Sequence, residues 1–111
     1  MENKFIISGN MARDAMLNRN GDKVSCFFTV GVNRAMGGAD FISVKAFKSL
    51  AESINKSLKK GDNVEVEGHI ATSSYEKNGQ KMYSTDLIAD KVRKLPRGEG
   101  RGETAVEVVN G

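Results

Sequence analysis

The sequence predicts a mostly β domain with one helix, and three observations carry that prediction. Short runs of β-branched and aromatic residues alternate with period two and are punctuated by glycine. A single segment shifts to a period near 3.6. An Asn-Gly pair separates two long runs, as in a tight hairpin. With 12 glycines and one proline, strands joined by turns suit the chain better than a helical bundle.

The first run is Phe5 to Met11, and the polar stretch Asn18 to Lys23 follows, with turn chemistry at Asn20-Gly21-Asp22. From Val24 to Val32 the residues Val24, Cys26, Phe28, Val30 and Val32 form one face, which reads as core. Ser25, Phe27, Thr29 and Gly31 form the other. Met36-Gly37-Gly38 is a loop. Phe41 to Phe47 alternates again, with Ile42, Val44 and Ala46 inward and Phe41, Ser43, Lys45 and Phe47 outward. Ser49-Leu50-Ala51-Glu52 fits a capping box, so a helix is expected to start there. Leu50, Ala51, Ile54 and Leu58 give it an apolar face, Lys59 and Lys60 suit its C-terminal end, and Gly61 suits a left-handed cap. Val64, Val66, Gly68 and Ile70 then alternate with Glu65, Glu67 and His69 in a long strand reaching Tyr75. The turn at Asn78-Gly79 places Tyr75 opposite Met82 and Ser74 opposite Tyr83, and the return strand runs toward Leu95. Pro96 stops the pattern. Residues 1–96 are therefore read as the domain and residues 97–111, rich in glycine and charge, as a mobile tail; Ala105 to Val109 is too short to fold alone.

Three strands, a helix and a two-strand hairpin match a five-stranded Greek-key barrel with its helix between strands three and four, which is the OB-fold order. An open antiparallel sheet packed on one helix gives a similar string.

At 111 residues there is room for one core and none for a second globular domain. Lys and Arg number 17 against 14 Asp and Glu, a net charge of +3, and the pI of about 9.1 permits a polyanionic partner without demanding one. No apolar run approaches the ~20 residues of a membrane span. Met1-Glu2-Asn3-Lys4 leads into only three strongly apolar residues, too few for a secretory segment, so the chain reads as cytoplasmic. A lone Cys26 and a lone His69 supply neither a disulfide nor a zinc ligand set, and no cofactor is implied. His69 stands between Gly68 and Ile70 without a catalytic cluster and reads as structural or solvated. Cys26 reads as a small core hydrophobe. Asp86 and Asp90 fall on one strand face, but two carboxylates alone define no reaction, and the chain reads as a non-enzyme.

The outward set Phe41, Ser43, Lys45 and Phe47 is the candidate chemistry. Outward aromatics gain no core packing, so they suit either a neighbouring subunit or a flat π-system such as a base. Tyr75 repeats the mixture near the hairpin tip, with Lys77 beside it and Lys81 on the return strand. Lys4, Arg34, Lys48, Lys59 and Lys60 are loop or polar-side cations whose convergence would matter more than any one of them. Bases stack on aromatics at roughly 1–3 kcal/mol each while cations follow phosphates, so unpaired nucleic acid fits such a surface.

The chain resembles the bacterial single-stranded DNA-binding proteins, an OB-fold family, over almost its whole length. The resemblance rests on Asn3-Lys4-Phe5-Ile6-Ile7-Ser8-Gly9-Asn10 with Arg13-Asp14, on Val32-Asn33-Arg34, and on Phe41-Ile42-Ser43-Val44-Lys45-Ala46-Phe47. Leu50-Ala51-Glu52, Leu58-Lys59-Lys60-Gly61-Asp62, Val64-Glu65-Val66-Glu67-Gly68, Tyr75, Gly79, Tyr83 and Thr85 extend it. It implies coating of single-stranded DNA with little sequence preference, in replication, recombination and repair. It implies a stacking platform at Phe41, Phe47 and Tyr75, with Lys4, Lys48 and Lys60 at phosphate-contacting positions; local geometry adds Arg34, Lys45 and Lys77. Met36 stands where the family often has a tryptophan, and the chain has none, which leaves Phe27 as a substitute ring if it faces the groove. The resemblance also implies a homotetramer, with a dimer left open. Glu103 and Glu107 are isolated and the sequence ends Val109-Asn110-Gly111 where the family has an acidic tip. DNA coating is thus expected with tail-mediated partner recruitment weak or absent. Two other readings stay open: a primosome-type OB-fold accessory protein, and a structural oligomerisation module that buries Phe41 and Phe47. The helix with its Lys-Lys-Gly-Asp exit favours the coating protein over the first of these.

Overall fold

A computed structural model describes residues 1–96 and 106–108. In chain order the elements are β1 (Phe5–Met11), β2 (Met16–Asn20), β3 (Lys23–Asn33), β4 (Ala39–Phe47), α1 (Lys48–Ser57), β5 (Asn63–Lys77), β6 (Gln80–Lys94) and β7 (Val106–Val108). β5 pairs with β1 and β6, β3 pairs with β4 and with the end of β1, and β4 meets β6 through one parallel bridge, Lys45 to Ile88. The path β1-β5-β6-β4-β3 thereby returns to β1, and the sheet closes on itself. That closure separates the OB-fold order from the open sheet, which the periodicity alone did not do.

β2 is a strand that the sequence did not suggest. It pairs antiparallel with β3 across the Gly21-Asp22 turn, from Met16 opposite Phe27 to Asn20 opposite Lys23, whereas Asn10 and Met11 of β1 lie opposite Gly31 and Val30 of the same strand. β1 and β2 are thus two lengths of one bent strand, parted by residues 12–15. Closure at the bend depends on Gly9, because a Cβ there would stand 2.1 Å from the Gly31 carbonyl oxygen.

The alternation expected for β3 and β4 builds the core. Cys26, Phe28, Val30, Val44 and Ala46 are buried together with Met11, Leu50, Ala51, Ile54, Leu58, Val64, Val66, Ala89 and Val92, and no polar or charged side chain is buried among the described residues. Fully burying each large member contributes about 1.5–3 kcal/mol. Burial also pushes the Cys26 thiol up to about 11, against a weaker lowering by a hydrogen bond with the Ala46 backbone, so it stays protonated at neutral pH. Ile70, expected inward, is 41% exposed because the β5–β6 hairpin leaves the barrel there as an arm.

The helix starts and stops differently from its sequence pattern. The capping box does not form. Phe47 holds the N-cap place in extended conformation without a side-chain hydrogen bond, the chain turns the corner at Lys48 (φ 59°), and Ser49 already lies inside the helix. Glu52 reaches across to Arg19 of β2 at 3.5 Å. α1 ends at Ser57, short of Lys60, because Leu58 goes extended and buried while its N–H still donates to the Ile54 carbonyl. Gly61 takes its positive φ of 94° in a separate turn, where Asp62 accepts from the Lys59 N–H at 2.8 Å.

The hairpin register follows the sequence: Tyr75 lies opposite Met82 and Ser74 opposite Tyr83, with Asn78 and Gly79 both at positive φ. A register shift between Glu67 and Gly68 makes Asp90 the extra residue of a bulge in β6. Val106–Val108 adds a short strand to β6 at Val92–Lys94. The remainder of the expected mobile tail lies outside the described residues, which include no helix long and apolar enough to cross a membrane.

Candidate nucleic-acid interface

Strand pairing fixes which outward side chains are neighbours. Ser25 lies opposite Phe47, Phe27 opposite Lys45, Thr29 opposite Ser43 and Gly31 opposite Phe41. Beyond β3 these rows continue to Asn18, Met16 and Asn10. Phe41 is 70% exposed, Phe47 44% and Phe27 46%, so the rings face outward as the alternation requires. Beyond β4 the central row crosses the parallel bridge from Lys45 to Ile88 and on to His69 of β5. From there the unbroken register carries the same face along the arm through Ala71 and Asp86, then Ser73 and Ser84, to Tyr75 and Met82. Ser73 and Ser84 hydroxyls share a 2.7 Å hydrogen bond on this face. Phe41, Lys45, Phe47 and Tyr75 therefore belong to one continuous outward strip, with Lys77 at its far end.

The remaining candidate cations stand around this strip. Lys48 follows Phe47 at the strand-to-helix corner, and the two residues rim two hollows. One, of about 330 Å³, lies against Ile88 and Asp90; the other, of about 420 Å³, lies against Asn18, Asn20 and Ser25. A third hollow of about 460 Å³ lies between Tyr75 and Lys81. Arg34 sits in the β3–β4 turn with Met36, whose side chain is 98% exposed. Lys4 precedes β1. Lys60 occupies the turn between α1 and β5, its N–H donating to Asp14 Oδ1 at 2.7 Å, and no strand pairing joins it to the strip.

Carboxylates hold several of these cations, a feature absent from the sequence reading. Arg34 donates to Asp40 Oδ1 from Nη2 at 2.6 Å and from Nε at 3.0 Å. Lys45 Nζ is 3.3 Å from Asp86 Oδ1 and Lys4 Nζ is 3.6 Å from Glu67 Oε2. Among the described residues Lys48, Lys60 and Lys77 have no carboxylate within 4.0 Å. Asp40 is close enough in sequence to be found by pairing across the turn, whereas Asp86 and Glu67 reach their partners only through the fold. His69, read as structural or solvated, has Nδ1 2.9 Å from Asp90 Oδ2, the residue at the bulge. On the opposite face of the arm Tyr83 is 72% exposed, with Lys81 Nζ 5.7 Å from its ring centre.

A strip of separated rings, interleaved with cations and small polar residues, offers faces to flat groups and charge to a chain of phosphates. Comparison with known proteins agrees with that chemistry. Residues 2–95 match the family model described as the single-strand binding protein family. The chain is 39% identical over 103 residues to single-stranded DNA-binding protein 1 of Staphylococcus aureus (strain Mu50), covering 86% of this chain and 66% of that protein. It is 36% identical over 104 residues to single-stranded DNA-binding protein 2 of the same strain, covering 86% of this chain and 73% of that protein. With the single-stranded DNA-binding protein of Bacillus cereus the identity is 33% over 111 residues, covering 93% and 65%. The chain thus spans about two thirds of the length of the first of these relatives.

Proposed function

Because the chain belongs to the single-strand binding protein family, we propose that it binds and coats single-stranded DNA, in the cytoplasm, in support of replication, recombination and repair. The observation that carries this reading is the strip itself. Phe41 and Phe47 are exposed on β4 with Lys45 between them, and the register extends the same face to Tyr75. Bases stack on the rings, and Lys48, Lys77, Lys4, Lys60 and Arg34 follow the phosphates. Stacking uses the π-face common to all bases, so sequence preference is slight. No step of this activity makes or breaks a covalent bond.

Family resemblance supports assembly as a homotetramer, with the dimer as the alternative that light scattering distinguishes. The relatives are named single-stranded DNA-binding proteins, which supports the coating reading over an accessory protein or a purely structural module.

The test is titration of oligo(dT) against the intrinsic fluorescence of Tyr75 and Tyr83 at rising salt. If about five phosphates are neutralised, the log–log slope is about −3.5, and a fourfold rise in salt weakens binding on the order of 100-fold. Absence of binding at low salt removes this reading.

A further inference from the structure

Phe27 is the outward ring that the stacking platform above leaves unused. It lies on β3 in the row between those of Phe41 and Phe47, so a strand laid along β4 passes over it. Its ring is not bare. Lys45 Nζ stands 5.3 Å from the ring centre and is held there by Asp86 at 3.3 Å. Lys45 and Asp86 side chains are each 32% exposed, a more sheltered pair than Arg34 and Asp40 at 60% and 52%. The ammonium occupies the ring's negative face, which is the face a base would use. Asp86 in turn occupies the place of a phosphate beside the lysine.

We propose that Phe27 is a fourth base-stacking position, covered by Lys45 in the DNA-free chain, and that Asp86 holds this cover until a phosphate of the bound strand draws Lys45 away. The proposal rests on the single-stranded DNA reading. It couples two gains: one phosphate contact and one uncovered ring. Phe27 thereby supplies on β3 the ring that Met36, at the tip of the turn, does not.

The chain has no tryptophan, so Phe27→Trp introduces a single indole as a local reporter. Saturating oligo(dT) at low salt is expected to quench it, and Phe27→Ala is expected to weaken oligo(dT) binding about 5- to 160-fold, the range for one lost stacking contact. Phe27→Leu, which keeps most of the side-chain volume, should lose affinity with an unchanged melting temperature. Asp86→Asn is expected to tighten binding on the order of threefold and to steepen the salt slope by about 0.7, one phosphate's worth. That gain should shrink in the Phe27→Ala background. An indole left unquenched by oligo(dT) while affinity is intact overturns the proposal, as does parental binding by Phe27→Ala when Phe41→Ala is weakened. Parental binding by all three of Phe27→Ala, Phe41→Ala and Phe47→Ala points instead to failure of the stacking reading itself.

Discussion

The two faces of β3 and β4 are built by the same residues in alternation and have opposite chemistry. Inward, Cys26, Phe28, Val30, Val44 and Ala46 are at most 2% exposed and carry no charge. Outward, Phe27, Phe41 and Phe47 are 44–70% exposed and Lys45 stands among them. Phe27 and Phe28 are adjacent in sequence, yet one ring is sealed in the barrel and the other meets solvent. Period two therefore sorts the buried core from the face proposed for recognition within a single pair of strands, and substitutions on the two faces should separate cleanly in experiment.

The largest effect is expected inside. Phe28→Ala should cost about 3–5 kcal/mol of folding stability, read by urea or thermal unfolding, while the folded fraction keeps its affinity for oligo(dT). Comparable loss of affinity per folded molecule would show that the faces are not independent. Phe41→Ala, on the other side, should cost about 1–3 kcal/mol of binding by titration and leave the unfolding midpoint unchanged, because its ring is 70% exposed in the folded chain. The smallest effect concerns Cys26. Its folded thiol is held up to about 11, above the ordinary 9.0, so the fold favours the protonated form. Stability from this group is full below about pH 9 and is lost as pH rises through 11, amounting to about 1 kcal/mol by pH 10. Cys26→Ala should flatten that alkaline slope in unfolding measured at pH 8 and pH 10, whatever its stability at neutral pH.

Much of this division is readable without coordinates. Alternation assigns Phe28 inward and Phe27 outward, and Asn78-Gly79 alone fixes the register that pairs Tyr75 with Met82. What escapes is of two kinds. Local pattern fails where the fold overrides it: Met16–Asn20 is a strand although four of its five residues are exposed, because pairing with β3 supplies what alternation does not. Ser49-to-Glu52 looks like a helix start, but the corner at Lys48 places the N-cap two residues earlier, at Phe47, and Glu52 reaches Arg19 instead. The second kind is distance along the chain. Lys45 with Asp86, Lys4 with Glu67 and His69 with Asp90 meet only after the strands have paired, so a lysine read as open to phosphate proves to have a partner already. The outward rings were legible; the carboxylates that restrain their cations were not.

The parallel bridge at Lys45 and Ile88 joins β4 to β6 at one register point, whereas β5 and β6 are zipped along their whole length. The ring of strands therefore has a narrow clasp, which is expected to open more readily than the β5–β6 zip. Its residue is also the one whose side chain spans Phe27 and Asp86. Amide hydrogen exchange along this seam is thus expected to slow when oligo(dT) binds, as cargo on the outside tightens the hoop from which the barrel is made.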